Sequence, residues 1–302
     1  MDLVFRVDAT PATGAGHLMR CAALGEAWIG SKAGSAVFWG EVSLAFARRR
    51  VESLGGRIIS RYPSGEGGAI LVCDHYDLGV RATAASAGAF ALRVIVDDLG
   101  EAIHPGFDVV LNPNAYGSPR LYRGFTGTVL SGSEMIPLRG DLPRWRQQAV
   151  GVTAVMLGGG LLHSSIIDAL ERMARRIGTE GFAGSGAWVP HAWARIASQN
   201  PWNDIVHASR LITSSGSSVW EAASVGIPVV LVQTAPNQNL VFKWACGHGV
   251  PGVDALTLIR NPKRLSHALE QALARACSLP RIENGAPPVC KILRELTLVR
   301  RS

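Results

Sequence analysis

Short apolar runs, each followed by a polar or glycine-rich turn, recur along this chain and constrain its fold more than any other feature. The runs at residues 3–7, 69–73 and 92–96 are apolar almost throughout, and stretches of helical periodicity separate them. A run without polar alternation indicates a strand that is buried on both faces. Strands that alternate with helices predict a parallel sheet covered by helices. We therefore expect an α/β protein.

The alternation breaks at a proline-containing segment over residues 137–148, which is typical of a linker. Before it, strands are predicted over residues 3–7, 36–39, 69–73, 92–96 and 109–111, and helices over residues 17–29, 44–54 and 81–87. After it, strands are predicted over residues 152–157, 211–213 and 229–233, and helices over residues 164–177, 203–208, 217–225, 262–276 and 291–300. The linker predicts two domains, residues 1–142 and residues 150–302.

Polar motifs follow the predicted strands in both halves of the chain. They lie at residues 14–17, 74–77, 97–98, 112–114, 158–160, 214–218 and 237–239. In open parallel sheets, ligand-binding groups lie at the carboxyl ends of the strands. The motifs therefore predict two Rossmann-like domains whose parallel sheets face a central cleft.

The composition of the 302-residue chain excludes several classes of protein. Hydrophobic residues make up 47% and charged residues 18%, so a disordered chain is not expected. No apolar run is long enough to span a bilayer, and the first residues resemble a strand rather than a signal peptide. We expect a cytoplasmic protein without a membrane span, as a monomer or weak oligomer.

The charge and the cysteine content indicate which ligands, disulfides and metals are expected. The net charge of +7 comes mainly from scattered arginines, which favour an anionic small molecule over a nucleic acid. The 5 cysteines are widely spaced and form no C-x-x-C pair, so neither a disulfide framework nor a zinc site is expected. The chain also lacks the G-x-S-x-G, phosphate-loop and H-E-x-x-H motifs. We expect neither a metal nor a cofactor.

The turn Gly14-Ala15-Gly16-His17 follows the first predicted strand and opens a helix. Glycines let backbone N–H groups approach a ligand, and the start of a helix favours an anion. The helix dipole disfavours an imidazolium there, which suits His17 as a general base. A histidine that merely caps the helix fits the local pattern equally well. A nicotinamide fingerprint is excluded because Met19 occupies the position of its third glycine.

Two other strand ends carry candidates for substrate binding. Tyr76 can hydrogen-bond a substrate and Asp74 can orient a neighbouring group, although a packed turn explains their pattern as well. The carboxamides of Asn237 and Gln238 both donate and accept hydrogen bonds, which suits sugar hydroxyl and acetamido groups. A plain turn is the alternative interpretation of that segment.

The serine-rich segment at residues 214–218 precedes a predicted helix that contains Glu221. Free N–H groups and hydroxyls at a helix start suit a diphosphate. Glu221, one turn further on, can accept hydrogen bonds from the two hydroxyls of a ribose. Ser218 and Glu221 also have the spacing of a capping box, which is the structural alternative.

Taken together, these motifs resemble the PseG family of UDP-sugar hydrolases in pseudaminic acid biosynthesis, which is related to the MurG-type glycosyltransferases of the GT-B fold. The matching segments lie in order between about residue 3 and residue 240. They are Phe5-Arg6-Val7-Asp8, residues 14–21, Asp74-His75-Tyr76, Val96-Asp97-Asp98, residues 108–112, Asn114-Ala115-Tyr116, Ser215-Gly216-Ser217-Ser218, Glu221-Ala222 and Asn237-Gln238. The resemblance implies a GT-B-like protein whose first domain carries the catalytic histidine and binds the sugar, and whose second domain binds UDP.

The resemblance also implies an activity and a set of site residues. The activity is metal-independent, inverting hydrolysis of UDP-2,4-diacetamido-2,4,6-trideoxy-β-L-altrose, or a related UDP-sugar, in the biosynthesis of nonulosonic acids or similar surface glycans. The implied catalytic residues are His17, Tyr76 and Asn237. The predicted substrate-binding residues are Gly14, Gly16, Arg20, Asp74, Asn114, Gly159, Ser215, Gly216, Ser217, Ser218, Glu221 and Gln238.

Two departures from the family pattern leave other functions open. Gly160-Leu161 stands where the family has a hydroxyl residue followed by aspartate, and Met135 lies in a segment that carries an aromatic residue in the family. One alternative is a GT-B glycosyltransferase that passes the sugar of a UDP-sugar to a hydroxyl acceptor. The other is a UDP-sugar binder without catalytic activity.

Overall fold

The structure is a computed structural model that describes residues 1–61, 68–100, 105–143, 150–158, 162–177, 182–185, 194–196 and 200–301. The chain forms two compact units. The first unit comprises Met1–Gly140 together with Glu283–Ser302, and the second unit comprises Asp141–Ile282. Both units are α/β, as the sequence predicts.

Parallel strands form a seven-stranded sheet among the described residues of the first unit. The strands are β1 (Leu3–Arg6), β2 (Ala36–Trp39), β3 (Arg57–Ile59), β4 (Ile70–Cys73), β5 (Leu92–Val96), β6 (Val109–Asn112) and β7 (Thr128–Ser131). The helices between them are α1 (Gly16–Gly30), α2 (Ala45–Ser53) and α3 (Leu78–Ser86). The strand order is β3-β2-β1-β4-β5-β6-β7, with every pair parallel. The order reverses between β1 and β4, which is where open α/β sheets bind ligands.

The residues of β1 show why its sequence is apolar without alternation. Leu3 and Phe5 pack into the same core cluster as Leu18 of α1, whereas Val4 packs with Leu71 of β4 in a second cluster. Successive side chains of a strand point to opposite faces, so both faces of this sheet are covered. All five of these residues are fully buried.

The second unit repeats this architecture around a six-stranded sheet. Its described strands are β8 (Val150–Met156), β9 (Phe182–Ser185), β10 (Ala194–Arg195), β11 (Ala208–Ser214), β12 (Val229–Gln233) and β13 (Gly252–Asp254). Its described helices are α4 (Ser164–Ile177), α5 (Trp202–Ile205), α6 (Ser218–Val225), α7 (Asn239–Gly247), α8 (Ala255–Leu258) and α9 (Pro262–Leu273). The order is β10-β9-β8-β11-β12-β13, again with every pair parallel.

The last helix, α10 (Ala286–Arg301), belongs to the first unit rather than the second. Val289 and Leu293 are fully buried in the core cluster that contains Leu24 of α1. The thiol of Cys290 donates a hydrogen bond to the backbone carbonyl of Leu24, at 3.4 Å. The prediction that residues 150–302 form one domain is therefore wrong for the final segment. Helical periodicity reveals an apolar face but not which core that face covers.

Several predicted elements also differ from the structure. The sequence did not predict β3 and β7, which are short strands at the two edges of the first sheet and carry polar residues, so neither forms an apolar run. It also did not predict α7, which follows the polar turn after β12. The helix predicted over residues 203–208 ends at Ile205, and β11 starts at Ala208. In the described part of the chain, no helix is long and apolar enough to cross a membrane.

We expect Leu293→Ala to lower the free energy of unfolding of the first unit by about 2–5 kcal/mol, because it leaves a cavity under α10. The matched control is Leu298→Ala in the same helix, where the side chain is 66% exposed, and we expect a change within about 0.5 kcal/mol. Hydrogen exchange of the β1 and α1 amides in increasing urea measures the stability of this unit by itself. Equal effects of the two substitutions would contradict the assignment of α10 to the first core.

Candidate active site

Side chains from the carboxyl ends of four neighbouring strands meet in the first unit. His17 and Arg20 lie in the first turns of α1, which follows β1. Asp74 comes directly after β4, Asp98 shortly after β5, and Asn114 shortly after β6. Because β1, β4, β5 and β6 are adjacent and parallel, these loops lie along one edge of the sheet.

His17 and Asp74 form a close imidazole–carboxylate pair. The Nδ1 atom of His17 lies 2.5 Å from Oδ1 of Asp74, and the Asp74 side chain is 1% exposed. A carboxylate oxygen this close to a bare nitrogen lone pair would be repelled, so we assign the proton to Nδ1. In the neutral ring, Nε2 is then the nitrogen that can accept a proton. The ring of Tyr76 contacts that of His17 edge-on, with 4.6 Å between centroids.

Arg20 joins two buried carboxylates. Its Nε and Nη2 atoms donate to the two oxygens of Asp74, at 2.6 and 2.7 Å. Its Nη1 and Nη2 atoms donate to the two oxygens of Asp98, at 2.8 and 2.9 Å. The planar guanidinium fork suits two bidentate partners in a way that a lysine ammonium does not. All three nitrogens of the guanidinium therefore bond to these carboxylates, and the Arg20 side chain is only 12% exposed.

The charges of this cluster determine its protonation. Burial by itself would raise the pKa of Asp74, but the nearby charges of Arg20 and His17 outweigh burial and hold it well below its usual range. Burial likewise opposes ionisation of Asp98, and Arg20 again brings the pKa of that carboxyl below its usual value. Burial and the charge of Asp98 both raise the pKa of Tyr76. Both carboxyls are therefore ionised and Tyr76 is neutral around pH 7.

Asp98 also accepts hydrogen bonds from neutral donors. Tyr76 donates its hydroxyl proton to Oδ2 of Asp98 at 2.8 Å, and the amide of Asn114 donates to Oδ1 at 2.8 Å. Tyr116 donates to the backbone carbonyl of Asp98 at 2.9 Å. With its proton committed to Asp98, the Tyr76 hydroxyl can offer a ligand only its oxygen as an acceptor. The amide of Asn114 is buried and also donates to Asn112, at 3.0 Å.

His75 holds the loop that carries Asp74 and Tyr76, and its ring contacts Asp8 instead of the His17 cluster. The backbone N–H of Asp77 donates to Nδ1 of His75 at 3.0 Å, so the ring proton is on Nε2. That nitrogen lies 3.1 Å from Oδ2 of Asp8. Arg81 donates from Nε to the backbone carbonyl of His75 at 2.5 Å. These bonds fix the backbone on both sides of Tyr76.

The second unit contains the serine-rich segment, at the carboxyl end of β11. Gly216, Ser217 and Ser218 are partly exposed at the start of α6. The N–H groups of Val219 and Trp220 donate to the carbonyls of Gly216 and Ser217, at 3.1 and 3.0 Å. Ser215 is fully buried, and its hydroxyl has no hydrogen-bond partner among the described residues. Glu221 accepts a hydrogen bond from the indole N–H of Trp202 at 2.9 Å.

The capping box between Ser218 and Glu221 does not form. Ser217, not Ser218, is the N-cap residue, and its side chain makes no cap hydrogen bond. The hydroxyl of Ser218 instead lies 2.8 Å from that of Thr213. The structural alternative for this segment is therefore wrong.

The remaining predicted residues lie in turns. Gly14 adopts a left-handed conformation with φ of 73°, and Gly16 begins α1. Asn237 is exposed in the short turn after β12, and Gln238 folds back so that its Oε1 accepts from the backbone N–H of Thr234 at 2.8 Å. Gly159 lies outside the described residues.

The structure thus gathers His17, Arg20, Asp74, Tyr76 and Asn114 into one cluster. Ser215, Gly216, Ser217, Ser218 and Glu221 lie together in the second unit, where Asn237 and Gln238 follow the neighbouring strand. The predicted site omitted Asp98, although the pair of aspartates after an apolar run was a visible signal. Among the described residues, no group of three or more His, Cys, Asp or Glu is arranged to hold a metal ion.

Solved structures with the same architecture cover nearly the whole chain. SsfS6, a glycosyltransferase of Streptomyces sp. SF2575 complexed with thymidine diphosphate, has a TM-score of 0.59 and 12% identity over 98% of this chain and 99% of its own. S. aureus MnaA, in a co-structure with UDP, has a TM-score of 0.57 and 10% identity over 99% of this chain and 97% of its own. The spinosyn rhamnosyltransferase SpnG, complexed with thymidine diphosphate, has a TM-score of 0.55 and 14% identity over 98% of this chain and 96% of its own.

These similarities establish the fold class. The chain is an α/β protein with two parallel sheets in tandem, of the GT-B kind, and the predicted fold class is confirmed. No protein-family model matches the sequence, and no curated protein matches it either. Membership of the PseG family therefore stays a prediction.

We expect Arg20→Met to lower the free energy of unfolding of the first unit by about 3–5 kcal/mol, because it leaves two buried carboxylates without their cation. Arg49→Met on the exposed face of α2 removes the same charge and is expected to change stability by no more than about 0.5 kcal/mol. Urea unfolding of both variants at pH 7 measures the difference. A loss no larger than that of the control would show that the ion pairs contribute nothing.

The stability of the first unit should depend on pH in the acid range. Asp74 and Asp98 have a lower pKa in the folded state than in the unfolded state, so their stabilising effect is complete above the unfolded value of about 4. It is lost as the pH falls below 4 toward the folded values, by about 1.4 kcal/mol per pH unit for each carboxylate. Urea unfolding from pH 5 to pH 3 should show this decline. Stability that rises over that range would contradict the assignment.

Proposed function

We propose that this protein is an enzyme that transfers the sugar of a nucleoside-diphosphate sugar to a hydroxyl acceptor, with His17 as the general base. The observation that carries the proposal is the 2.5 Å contact between Nδ1 of His17 and Asp74, which leaves Nε2 as the proton acceptor. The fold is shared with proteins that are glycosyltransferases and that were solved with thymidine diphosphate bound. That likeness supports the proposed class of substrate.

The chemistry follows from the protonation of the pair. As the acceptor oxygen attacks the anomeric carbon, Nε2 of His17 takes the hydroxyl proton. The bond from the anomeric carbon to the diphosphate oxygen breaks, and the nucleoside diphosphate leaves with the electron pair. Asp74 holds the ring in the reactive tautomer and stabilises the imidazolium that forms. A single displacement of this kind inverts the anomeric configuration.

For the nucleotide, we propose the start of α6 in the second unit. The positive end of the helix dipole and the side chains of Ser217 and Ser218 suit a diphosphate. Glu221, one turn further along, can accept from the ribose hydroxyls in addition to Trp202. Asn237 and Gln238, after the neighbouring strand, would contact the sugar. The similar proteins with bound UDP or thymidine diphosphate support a nucleotide site in this fold.

A second candidate is hydrolysis, with water in place of the acceptor hydroxyl. The contact between His17 and Tyr76 favours it, because the resemblance to the PseG family implies a role for both residues at the sugar. The substrate would then be a UDP-linked diacetamido-trideoxyhexose. His17 would serve as base in either reaction, so the two candidates differ in the nucleophile alone.

We expect His17→Gln to lower turnover by about 10²- to 10⁴-fold, because glutamine cannot take the proton at Nε2. The matched control is His267→Gln on α9, where the side chain is 59% exposed, and it should keep wild-type turnover. The assay measures nucleoside diphosphate released from a panel of UDP- and TDP-sugars. Wild-type rates in the His17→Gln variant would exclude His17 as the base.

The same panel separates the two candidates. Release that requires an added hydroxyl acceptor supports transfer, and release of free sugar without an acceptor supports hydrolysis. Tight binding of UDP with no turnover of any sugar, with or without an acceptor, would contradict both and leave a binding protein.

A further inference from the structure

The pairing of Asp74 with Arg20 creates a difficulty for His17. A carboxylate stabilises an imidazolium through its negative charge, and a buried guanidinium bonded to both of its oxygens cancels much of that charge. Arg20 contacts both oxygens of Asp74, and its Nη2 also lies 3.2 Å from Nδ1 of His17. If His17, Asp74 and Arg20 were the only groups present, the Asp74–Arg20 pair would have no net charge. It would then stabilise a protonated His17 only weakly.

Asp98 changes this balance from the far side of the guanidinium. It contacts Nη1 and Nη2 of Arg20 through both of its oxygens, in the same bidentate manner as Asp74. Two carboxylates then share one cation, so the buried cluster carries a net charge of −1 while His17 is neutral. The cluster becomes neutral when His17 takes a proton.

We propose that Asp98 is a positioning residue that acts on His17 through Arg20. By engaging the guanidinium, it leaves Asp74 with enough negative charge to stabilise the imidazolium. Tyr76 and Asn114 contribute by donating neutral hydrogen bonds that keep Asp98 ionised. The sequence pattern assigned substrate binding to Arg20 and Asn114, and this geometry gives both of them an electrostatic role in the cluster.

The other groups around His17 carry no charge that could replace this effect. From α1, the thiol of Cys21 donates to Oδ2 of Asp74 at 3.6 Å, and burial raises the pKa of that thiol well above its usual value. From the loop after β4, Tyr76 contacts the ring and is neutral. The charged groups that face His17, among the described residues, are therefore Asp74, Arg20 and Asp98.

The test is the protonation of His17 in the free protein, followed by NMR with isotope-labelled histidine and assigned with His17→Gln. In Asp98→Asn, which removes the charge at nearly constant shape, we expect the pH midpoint of the His17 signal to fall by about one unit. Asp108→Asn is the matched control. Asp108 precedes β6 at the amino ends of the strands, whereas Asp98 follows β5 at their carboxyl ends. This control should leave the midpoint in place.

An unchanged midpoint in folded Asp98→Asn protein would overturn the proposal, because Asp98 would then only hold its neighbours in place. If that variant does not fold, the wild-type protein provides a second measurement. The side-chain carboxyl signal of Asp98 should show no ionisation of its own between about pH 5 and pH 9 and should respond when His17 titrates. A protonated Asp98 at neutral pH, or no response to His17, would equally overturn it.

The consequence for turnover rests on the proposed function, and the two can fail separately. If His17 is the base, the acid limb of kcat/KM should move to lower pH in Asp98→Asn and the rate on the plateau should fall. A shifted His17 midpoint with no turnover of any nucleotide sugar supports the role of Asp98 and contradicts the function. Reduced turnover with an unshifted midpoint supports the function and contradicts the role of Asp98.

Discussion

The guanidinium of Arg20, held between two buried carboxylates, is the interaction on which the geometry of the candidate site depends. Asp74 and Asp98 follow different strands, and neither could stay ionised at its depth without a nearby cation. The guanidinium satisfies both because its donors are arranged in a rigid plane. Asp74 orients His17, and Asp98 orients Tyr76. Because Arg20 holds both carboxylates, the positions of both rings depend on this one cation. The ion pairs therefore fix the arrangement of the site, and their net charge enters the role proposed for Asp98.

The parallel sheet explains how residues so distant in sequence come together. Strands β1, β4, β5 and β6 are neighbours in the first sheet, and adjacent strands lie about 4.8 Å apart. Loops that leave their carboxyl ends can therefore place side chains within hydrogen-bonding distance across three strand spacings. The apolar strands, buried on both faces, make this edge rigid. Polar residues can then be held at the edge while the interior of the sheet stays free of them.

Much of this arrangement was accessible from the sequence, and the exceptions have physical causes. Buried parallel strands such as β2 and β5 are apolar or nearly so, and their predicted bounds agree with the structure. The edge strands β3 and β7 form no such run, and the helical pattern of α10 does not specify its packing partner. A strand-end position predicted that Asp74 lies at the site. The sequence could not show that Arg20 and Asn114 donate to carboxylates instead of a ligand. It identifies a residue as a hydrogen-bond donor but does not indicate which acceptor the fold brings next to it.

The residues of the candidate site likewise do not identify the nucleophile of the proposed reaction, which is either an alcohol or water. In both proposed reactions, Nε2 of His17 would accept a proton from the nucleophile, and Asp74, Arg20 and Asp98 would stabilise the resulting imidazolium. The choice must therefore lie in how strongly the protein positions an acceptor, since a bound and oriented hydroxyl reacts far faster than one in solution. An enzyme that transfers sugars needs binding energy for its acceptor, whereas a hydrolase needs only an ordered water. In the proposed mechanism, the His17 cluster would determine the protonation chemistry, and the binding of an acceptor would determine the product.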